Sequence, residues 1–187
     1  MDALTALQQR VSMTKLQAPA PDKIVLDNVF KAALRAADHG QLQPWRFLIV
    51  QEAGLETLGE TFVSAALKKN PEASPAVIDK CRNMPRRAPM IIVAIASCKE
   101  HPSIPKLEQI LACGAATQNM LNAFFALGYG AVWRTGDMAY DPNVKQALGL
   151  GELEEIVGYI YVGTPAKQFH KPDDVDVNAF FDVWPAK

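Results

Sequence analysis

Apolar side chains recur every three or four residues along much of this chain, a spacing that predicts amphipathic helices. The helix after Asp22 is typical, because aspartate is a good N-cap and apolar residues follow at helical spacing. Ser74-Pro75 predicts another helix start, since serine caps well and proline fits the first turn. The predicted helices cover residues 2–9, 22–37, 55–66, 105–127 and 141–149, with a further segment from Ser74 that ends before Pro85 or Pro89.

Shorter, continuous apolar runs predict strands, because strands buried on both faces lack a polar alternation. The segment from Met90 to Ser97 is the strongest of these, being apolar and rich in β-branched residues. The predicted strands cover residues 47–50, 90–97, 131–133 and 156–162. No internal repeat or low-complexity linker interrupts these elements, so we expect a single domain over residues 1–187.

The C-terminal segment carries few helical signals but several aromatic side chains. They are Phe169, Phe180, Phe181 and Trp184. An apolar-dotted segment without a core of its own usually packs on another surface. We therefore expect it to lie against its own domain or against a partner subunit.

Composition narrows the class of protein. Of the 187 residues, 49% are apolar and 21% are charged, which excludes wholesale disorder. The formal charge of -1 provides no overall attraction to nucleic acid or an anionic membrane, so we expect neither as a partner. The longest apolar run, residues 88–96, is too short to span a bilayer, and the first residues lack the apolar core of a signal peptide. We expect a cytoplasmic protein.

Several common chemistries lack their motif in this sequence. The cysteines are odd in number and form no Cys-x-x-Cys pair: Cys81, Cys98 and Cys113. The histidines share no spacing typical of metal ligands: His39, His101 and His170. No Rossmann glycine motif, phosphate-binding Walker loop or nucleophile elbow is present. We expect no metal site, and no motif identifies a catalytic nucleophile.

The loop between the helix after Asp22 and the first predicted strand is the most informative segment for function. Arg35 and His39 lie at its helical edge, and Gln43-Pro44-Trp45 lies at its strand edge. Arginine supplies a fixed positive charge and five donors, whereas tryptophan offers a flat apolar wall. This combination favours a flat, polar, anionic ligand.

Two further segments carry polar side chains at the ends of elements. Arg10-Val11-Ser12 closes the first helix, and an arginine with a nearby hydroxyl can hold a phosphate. The alternative is an ordinary cation at a helix C-terminus. Trp133-Arg134-Thr135 lies where a strand leaves the sheet, a common position for ligand contacts. Its alternative is a core tryptophan beside a surface arginine, and the residues alone leave both alternatives open.

Taken together, these segments resemble the nitroreductase-like FMN flavoproteins, in particular small bacterial NAD(P)H nitroreductases of the YdjA-like type. The resemblance rests on Met1-Asp-Ala-Leu4, Arg10-x-Ser12, Arg35-Ala-x-Asp-His39, Gln43-Pro-Trp45, Arg87-Ala-Pro89, Gly130-x-x-Trp-Arg134 and Val162-Gly-Thr-Pro165. It implies an α+β fold with a central, mixed but mainly antiparallel sheet flanked by helices. It also implies a homodimer with FMN at the interface and the C-terminal segment packed on the partner.

The resemblance also assigns residues. It implies that the FMN phosphate and ribityl chain lie at Arg10, Val11 and Ser12, that the flavin ring lies at Trp133, Arg134 and Thr135, and that Arg35 and His39 reach the FMN of the partner. A nicotinamide-dinucleotide contact falls on Ala123, Phe124, Phe125, Ala126, Leu127 and Gly128. Two positions depart from the family: Val11 replaces a usual second arginine, and Ala37 replaces a usual proline.

The implied reaction is transfer of a hydride from NADH or NADPH to FMN, followed by reduction of a nitroaromatic or quinone-type acceptor in a ping-pong cycle. Such chemistry belongs to the flavin and needs no side-chain nucleophile. Arg134 and Arg35 are both candidates to stabilise the negative charge of reduced flavin. Two alternatives remain: another flavin reaction, such as dehydrogenation or dehalogenation, and a flavin-binding dimer without catalysis.

Overall fold

The computed structural model describes residues 1–168 and 171–185, so Phe169 and His170 lie outside the described residues. The helices are α1 Ala3–Gln9, α2 Lys23–Ala33, α3 Ala53–Lys69, α4 Pro75–Asn83, α5 Lys106–Ala126, α6 Asp137–Tyr140 and α7 Pro142–Ala147. The strands are β1 Leu16–Gln17, β2 Trp45–Gln51, β3 Met90–Ser97, β4 Gly130–Arg134 and β5 Glu154–Pro165. Short 3₁₀ turns cover His39–Gln41, Pro85–Arg87 and Val177–Ala179.

Strand β5 organises the sheet because it pairs along both edges. On one edge it pairs with β3, and β2 pairs with the far side of β3. On the other edge it pairs with β4 and, beyond the first residue of β4, with β1. Every pairing between the described strands is antiparallel. This architecture confirms the expected α+β fold.

Helices cover both faces of the sheet, as the continuous burial of β3 requires. One face packs against α3, where Phe62 meets Tyr159 edge-to-face at 5.6 Å between ring centroids. The opposite face packs against α2 and α5, with Val29 and Phe124 among its fully buried residues. Residues that alternate along a strand therefore enter different helical layers.

The long helix α5 packs against two helices from the N-terminal part of the chain, α1 and α2. Helix α2 lies beside it, and the amide of Asn119 donates to the carbonyl of Ala32 at 3.2 Å. Helix α1 packs at its C-terminal end, where Ala6 and Met13 form an apolar cluster with Phe125. Because α5 contacts both helices, the separation of the segments that follow α1 and α2 can be measured along its axis.

The sequence placed most elements correctly but set the end of α2 too far along the chain. The expected end was Ala37, whereas the helix ends at Ala33. Beyond Leu34 the backbone N–H groups of Arg35 and Ala36 bond to carbonyls three residues back, at 3.2 and 3.1 Å, so the last turn tightens and unwinds. The short elements β1 and α6 were not predicted, because two or four residues show no periodicity.

Arg46 and Glu154 form an ion pair that fixes the start of β2 against the start of β5. The guanidinium donates to both carboxylate oxygens at 2.7 Å and to the carbonyl of Gly149 at 3.1 Å. This contact lowers the pKa of Glu154 from its ordinary value of 4.5 to about 2. The side chain of Glu154 is 14% exposed and that of Arg46 is 33% exposed, so solvent screens the pair only in part.

We expect Glu154→Gln to lower the free energy of unfolding by about 2 kcal/mol near neutral pH. A carboxyl with a lowered pKa stabilises the fold above its ordinary pKa, and this contribution is lost as the pH falls from 4.5 towards about 2. Urea denaturation at several pH values should show the two proteins converging over that interval. Glu152→Gln, at an exposed position, is the matched control; a constant difference at every pH would contradict the assignment.

Gly158 in β5 allows the indole of Trp133 to lie directly on the strand. A Cβ at this position would overlap the indole ring and lie 3.0 Å from the carbonyl oxygen of Arg134. We expect Gly158→Ala to destabilise the protein by about 1–3 kcal/mol and to shift the indole N–H resonance of Trp133. Gly151→Ala is the control, because nothing lies within 4 Å of its added Cβ. Equal stability of the two variants would show that the indole is free to move.

Candidate functional site

The segment Arg10-Val11-Ser12 follows α1 and is tied to the sheet. The side chain of Asp2 caps α1 by accepting from the backbone of Thr5 at 3.0 Å, and the N–H of Arg10 closes the last turn. The next residues turn towards β4, where the N–H of Met13 donates to the carbonyl of Ala131 at 3.0 Å. Val11 packs on the apolar cluster of Ala6, Met13 and Phe125, whereas Ser12 is exposed.

A cavity of about 390 Å³ lies beside this segment. One wall is residues 11–15, and the other is formed by the chain after β5. Its lining residues are Val11, Ser12, Met13, Thr14, Lys15, Lys167, Gln168, Lys171, Pro172 and Asp173. We call it the lysine cavity.

Trp133 and Arg134 point to opposite faces of the sheet. The indole N–H of Trp133 donates to the carbonyl of Val157 at 3.1 Å, and its ring packs on the layer of α2 and α5. The guanidinium carbon of Arg134 lies 5.8 Å from the ring centroid of Tyr161 on the other face. The side chain of Trp133 thus packs in the protein interior, in agreement with the alternative that it is a core tryptophan.

Arg134 holds the one buried side-chain donor without a hydrogen-bond partner in the part of the chain that the structure describes, its Nε. Burial raises the pKa of the neighbouring Tyr161 hydroxyl, while the positive charges of Arg87 and Arg134 oppose that rise. An unpaired buried donor beside a second cation favours a ligand that brings an acceptor or a negative charge.

A larger cavity, of about 670 Å³, lies on this same face between the sheet and α3 and α4. Thr135 stands at its edge, and Tyr159 and Tyr161 form part of its floor. The hydroxyl of Tyr159 donates to the carbonyl of Met138 at 2.9 Å. The charged residues of the lining are Lys69, Lys80, Asp137 and Asp141, so the cavity combines an aromatic floor with charges of both signs.

The loop after α2 is docked on the opposite end of α5. Nδ1 of His39 lies 2.7 Å from Oε2 of Glu108, in the first turn of α5. The carboxylate of Asp38 accepts from the N–H of Gln43 at 2.6 Å and closes the loop. Gly40 has a φ of +68°, and a Cβ there would lie 2.6 Å from Ile104, so the loop needs glycine at this point. Arg35 is exposed after the end of α2.

These segments do not form one pocket within a single chain. His39 contacts α5 near Glu108, whereas Val11 lies near Phe125, about 25 Å further along at 1.5 Å per residue. Neither Arg35 nor His39 lines the lysine cavity or the larger cavity. The structure brings Arg10–Ser12 close to the start of β4 and leaves Arg35 and His39 apart from them.

The stretch that the family resemblance assigned to a nicotinamide dinucleotide is only partly accessible. Phe124 and Phe125 are buried in the last turns of α5, so their side chains are closed to a ligand. Leu127 and Gly128 are exposed, and Gly128 ends the helix with a φ of +85°. Ala123 and Ala126 are half-buried.

Sequence reasoning missed several partners of the site. The sequence did not single out Glu108, Lys15 or Lys167. Each of them lies near residues that are far away along the chain. The positive charges around a cavity next to Ser12 become visible only when β1 is paired with the end of β5.

No group of three or more histidine, cysteine, aspartate or glutamate side chains in residues 1–168 and 171–185 is arranged to hold a metal ion. The cysteines are buried thiols, and burial raises the pKa of Cys113 to about 12. Within the same described ranges, none of the helices has the length and apolar character needed to cross a membrane.

Comparisons with known proteins agree with the fold. Residues 7–164 match the family model described as Nitroreductase family. The chain is 39% identical over 165 residues to "Putative NAD(P)H nitroreductase YdjA" of Escherichia coli strain K12, covering 88% of this chain and 89% of that protein. It is 36% identical over 167 residues to a Haemophilus influenzae protein described in the same terms, without the YdjA name, covering 88% and 89%.

Solved structures share the architecture at lower identity. The nitroreductase-like family protein of Bacillus cereus superposes with a TM-score of 0.83 at 19% identity, covering 100% of this chain and 97% of that one. A Bacteroides fragilis nitroreductase with bound FMN gives 0.73 at 20% identity, covering 98% and 99%. The family match and the identity to YdjA confirm the resemblance found in the sequence. The chain belongs to the nitroreductase family.

Proposed function

We propose that this chain is a cytoplasmic, homodimeric FMN enzyme that passes electrons from NADH or NADPH to a nitroaromatic or quinone-type acceptor in a ping-pong cycle. The observation that carries the proposal is the buried Nε of Arg134, which lacks a partner among the described residues. An unmade buried hydrogen bond costs about 1–3 kcal/mol, so the donor is best explained by a bound acceptor. Relatives described as NAD(P)H nitroreductases and a neighbour with bound FMN support the choice of donor and cofactor.

The residues present fit an anionic flavin. Arg10 and Ser12 offer a cation and a hydroxyl to a phosphate at the end of α1. Arg134 offers fixed positive charge on the side of the sheet where Thr135 borders the larger cavity. Bound FMN would supply the two-electron chemistry, accepting a hydride from NAD(P)H and reducing the acceptor.

Arg134 is the better candidate for stabilising negative charge during electron transfer. Its guanidinium is partly buried on an aromatic ring, whereas Arg35 is exposed. A charge in a water-poor site acts more strongly on a developing charge than one in solvent. Arg35 then serves binding rather than electron transfer.

Two observations support a homodimer: apolar side chains exposed on α1 and α5, and the separation of the His39 loop from the Arg10–Ser12 segment within one chain. Leu107 and Leu111 on α5 are 66% and 62% exposed, and Leu4 on α1 is 67% exposed, so an apolar surface runs along these helices. Trp184 in the C-terminal segment is 90% exposed. A two-fold axis near α5 would cover this surface and bring the His39 loop of one subunit to the Arg10–Ser12 segment of the other.

The proposal is tested by purifying the chain, adding FMN and following NADH and NADPH oxidation with a nitroaromatic and a quinone acceptor. We expect a bound-flavin absorption spectrum, turnover with at least one nucleotide, and parallel double-reciprocal plots, since the nucleotide leaves before the acceptor binds. Arg134→Gln should lower the rate of flavin reduction at unchanged fold. Flavin binding without turnover by either nucleotide would favour another flavin reaction or a non-catalytic dimer.

A mixed-dimer experiment tests the shared site. We expect the double variant Arg35→Ala/His39→Ala and the double variant Arg10→Ala/Ser12→Ala each to lose FMN retention as homodimers while keeping their thermal stability. When the two are co-expressed and the heterodimer is isolated through different tags, one site has all its wild-type residues and should bind FMN again.

Lys23→Ala is the control for the mixed-dimer experiment, because Lys23 is exposed and pairs only with Asp27 among the described contacts. Heterodimers that bind no more FMN than either homodimer would show that Arg35 and His39 act within their own subunit.

A further inference from the structure

Helix α4 forms one wall of the larger cavity and is anchored on α3. Val77 and Cys81 lie about one turn apart on α4 and line the cavity. The anchor is close, because a Cβ at Gly59 would overlap the carbonyl oxygen of Arg82, and Nε of Arg82 donates to Glu60 at 2.6 Å. A volume of about 670 Å³ remains between α4 and the sheet, within the range of roughly 300–1,000 Å³ typical of small-molecule sites.

Aromatic rings line the opposite side of the cavity. Tyr159 and Tyr161 of β5 contribute two of them, with Phe62 of α3 beside them. The guanidinium carbon of Arg134 lies 5.8 Å from the ring centroid of Tyr161, so this wall adjoins the segment proposed for the flavin ring. Rings of this kind pack favourably against a flat aromatic ligand.

The two tyrosines of this wall differ in their hydrogen bonds. They lie two residues apart on β5, yet only Tyr159 donates to the protein, to the carbonyl of Met138 at 2.9 Å. Tyr161 is 4% exposed, and its hydroxyl makes no hydrogen bond with any residue that the structure describes. Burial raises the pKa of this hydroxyl, so it keeps its hydrogen near neutral pH even though the charges of Arg87 and Arg134 oppose the rise. It is therefore a donor available to a ligand oxygen.

Lys80 is the charge of the lining that its neighbours leave uncompensated. Lys69 pairs with Asp137 at 3.3 Å. The carboxylate of Asp141 accepts from the backbone N–H and the side-chain amide of Asn143 at 2.8 and 3.2 Å. Lys80, by contrast, forms no ion pair within the part of the chain that the structure describes, and it lines the same cavity. A free ammonium group beside an aromatic wall favours a ligand that carries a negative charge.

We infer that the larger cavity receives the electron acceptor, and that Lys80 and Tyr161 select a flat aromatic acceptor carrying a carboxylate. The ring lies on the aromatic wall, the carboxylate pairs with Lys80, and the oxygen to be reduced accepts from Tyr161, next to Arg134. The inference rests on the proposed function, which supplies two electrons and one proton as the hydride of NAD(P)H. A nitro group takes these with one further proton and becomes a nitroso group and water.

The test compares two acceptors that share the nitro group and differ in charge, 4-nitrobenzoate and 4-nitrobenzamide. Dissociation constants are measured by calorimetry on the FMN-loaded protein without nucleotide, and kcat/KM is measured with NADH or NADPH. We expect the wild type to prefer the carboxylate, and Lys80→Gln to bind it about threefold to tenfold more weakly while binding the amide unchanged. Lys80→Arg should keep the preference, because it keeps the charge.

Tyr161→Phe removes the hydroxyl and leaves the ring in place. We expect it to weaken the binding of both acceptors by about threefold to tenfold, the effect of one hydrogen bond, without changing FMN affinity. Lys31→Gln is the control, because it removes one exposed positive charge from α2, on the other face of the sheet.

Two results would overturn the inference: a Lys80→Gln variant that behaves like the control, or one that loses both acceptors equally. Equal binding of the two acceptors by the wild type would overturn it as well. If the wild type prefers the carboxylate in the binding experiment but reduces neither compound, the selection stands and the proposed electron transfer fails.

Discussion

Burial of β3 on both faces is the constraint on which the rest of the structure depends. Residues 90–96 of this strand are at most 1% exposed, so helices must cover the sheet on both sides. That requirement places α5 on one face and α3 with α4 on the other. Strand alternation then divides the Trp133–Thr135 segment, because the indole enters one layer and the guanidinium of Arg134 enters the other. A ligand on the Arg134 side meets the backbone of Trp133 rather than its ring.

The structure leaves one hydrogen bond unmade at the end of β4, and this lowers its stability. The buried Nε of Arg134 is left unpaired in the described chain, and a fold selected only for stability would remove it. The indole of Trp133 avoids the same problem by donating to Val157 across a glycine. Neighbouring residues on one strand thus show both outcomes: a polar group satisfied by the protein, and a polar group that no described residue satisfies.

The parts of the fold that sequence could predict are those with long, regular patterns. The bounds expected for β3 agree with the structure, and α5 was predicted to within one residue at each end, since both have strong apolar patterns over many residues. The end of α2 was missed because local 3₁₀ bonds and the Asp38 loop override helix propensity. The strand β1 was missed because its pairing with β5 bridges residues far apart in sequence.

The candidate site was predictable only as separate segments. Polar residues at the ends of α1, α2 and β4 identified where a ligand could bind, and the family resemblance gave them roles. Their arrangement depends on the length of α5 and on the pairing of β5, neither of which can be read from a local motif. Glu108 and the lysines of the cavity entered the site only through that arrangement.

The contact between His39 and Glu108 has a chemical consequence for the imidazole. A carboxylate only accepts, so Nδ1 must carry the hydrogen that lies between the two groups. Nε2 is then the nitrogen left for a ligand or a neighbouring subunit. In the neutral ring Nε2 offers a lone pair, and in the imidazolium it offers a hydrogen. The first turn of α5 therefore decides the tautomer, and the protonation state decides whether Nε2 of His39 accepts or donates a hydrogen bond.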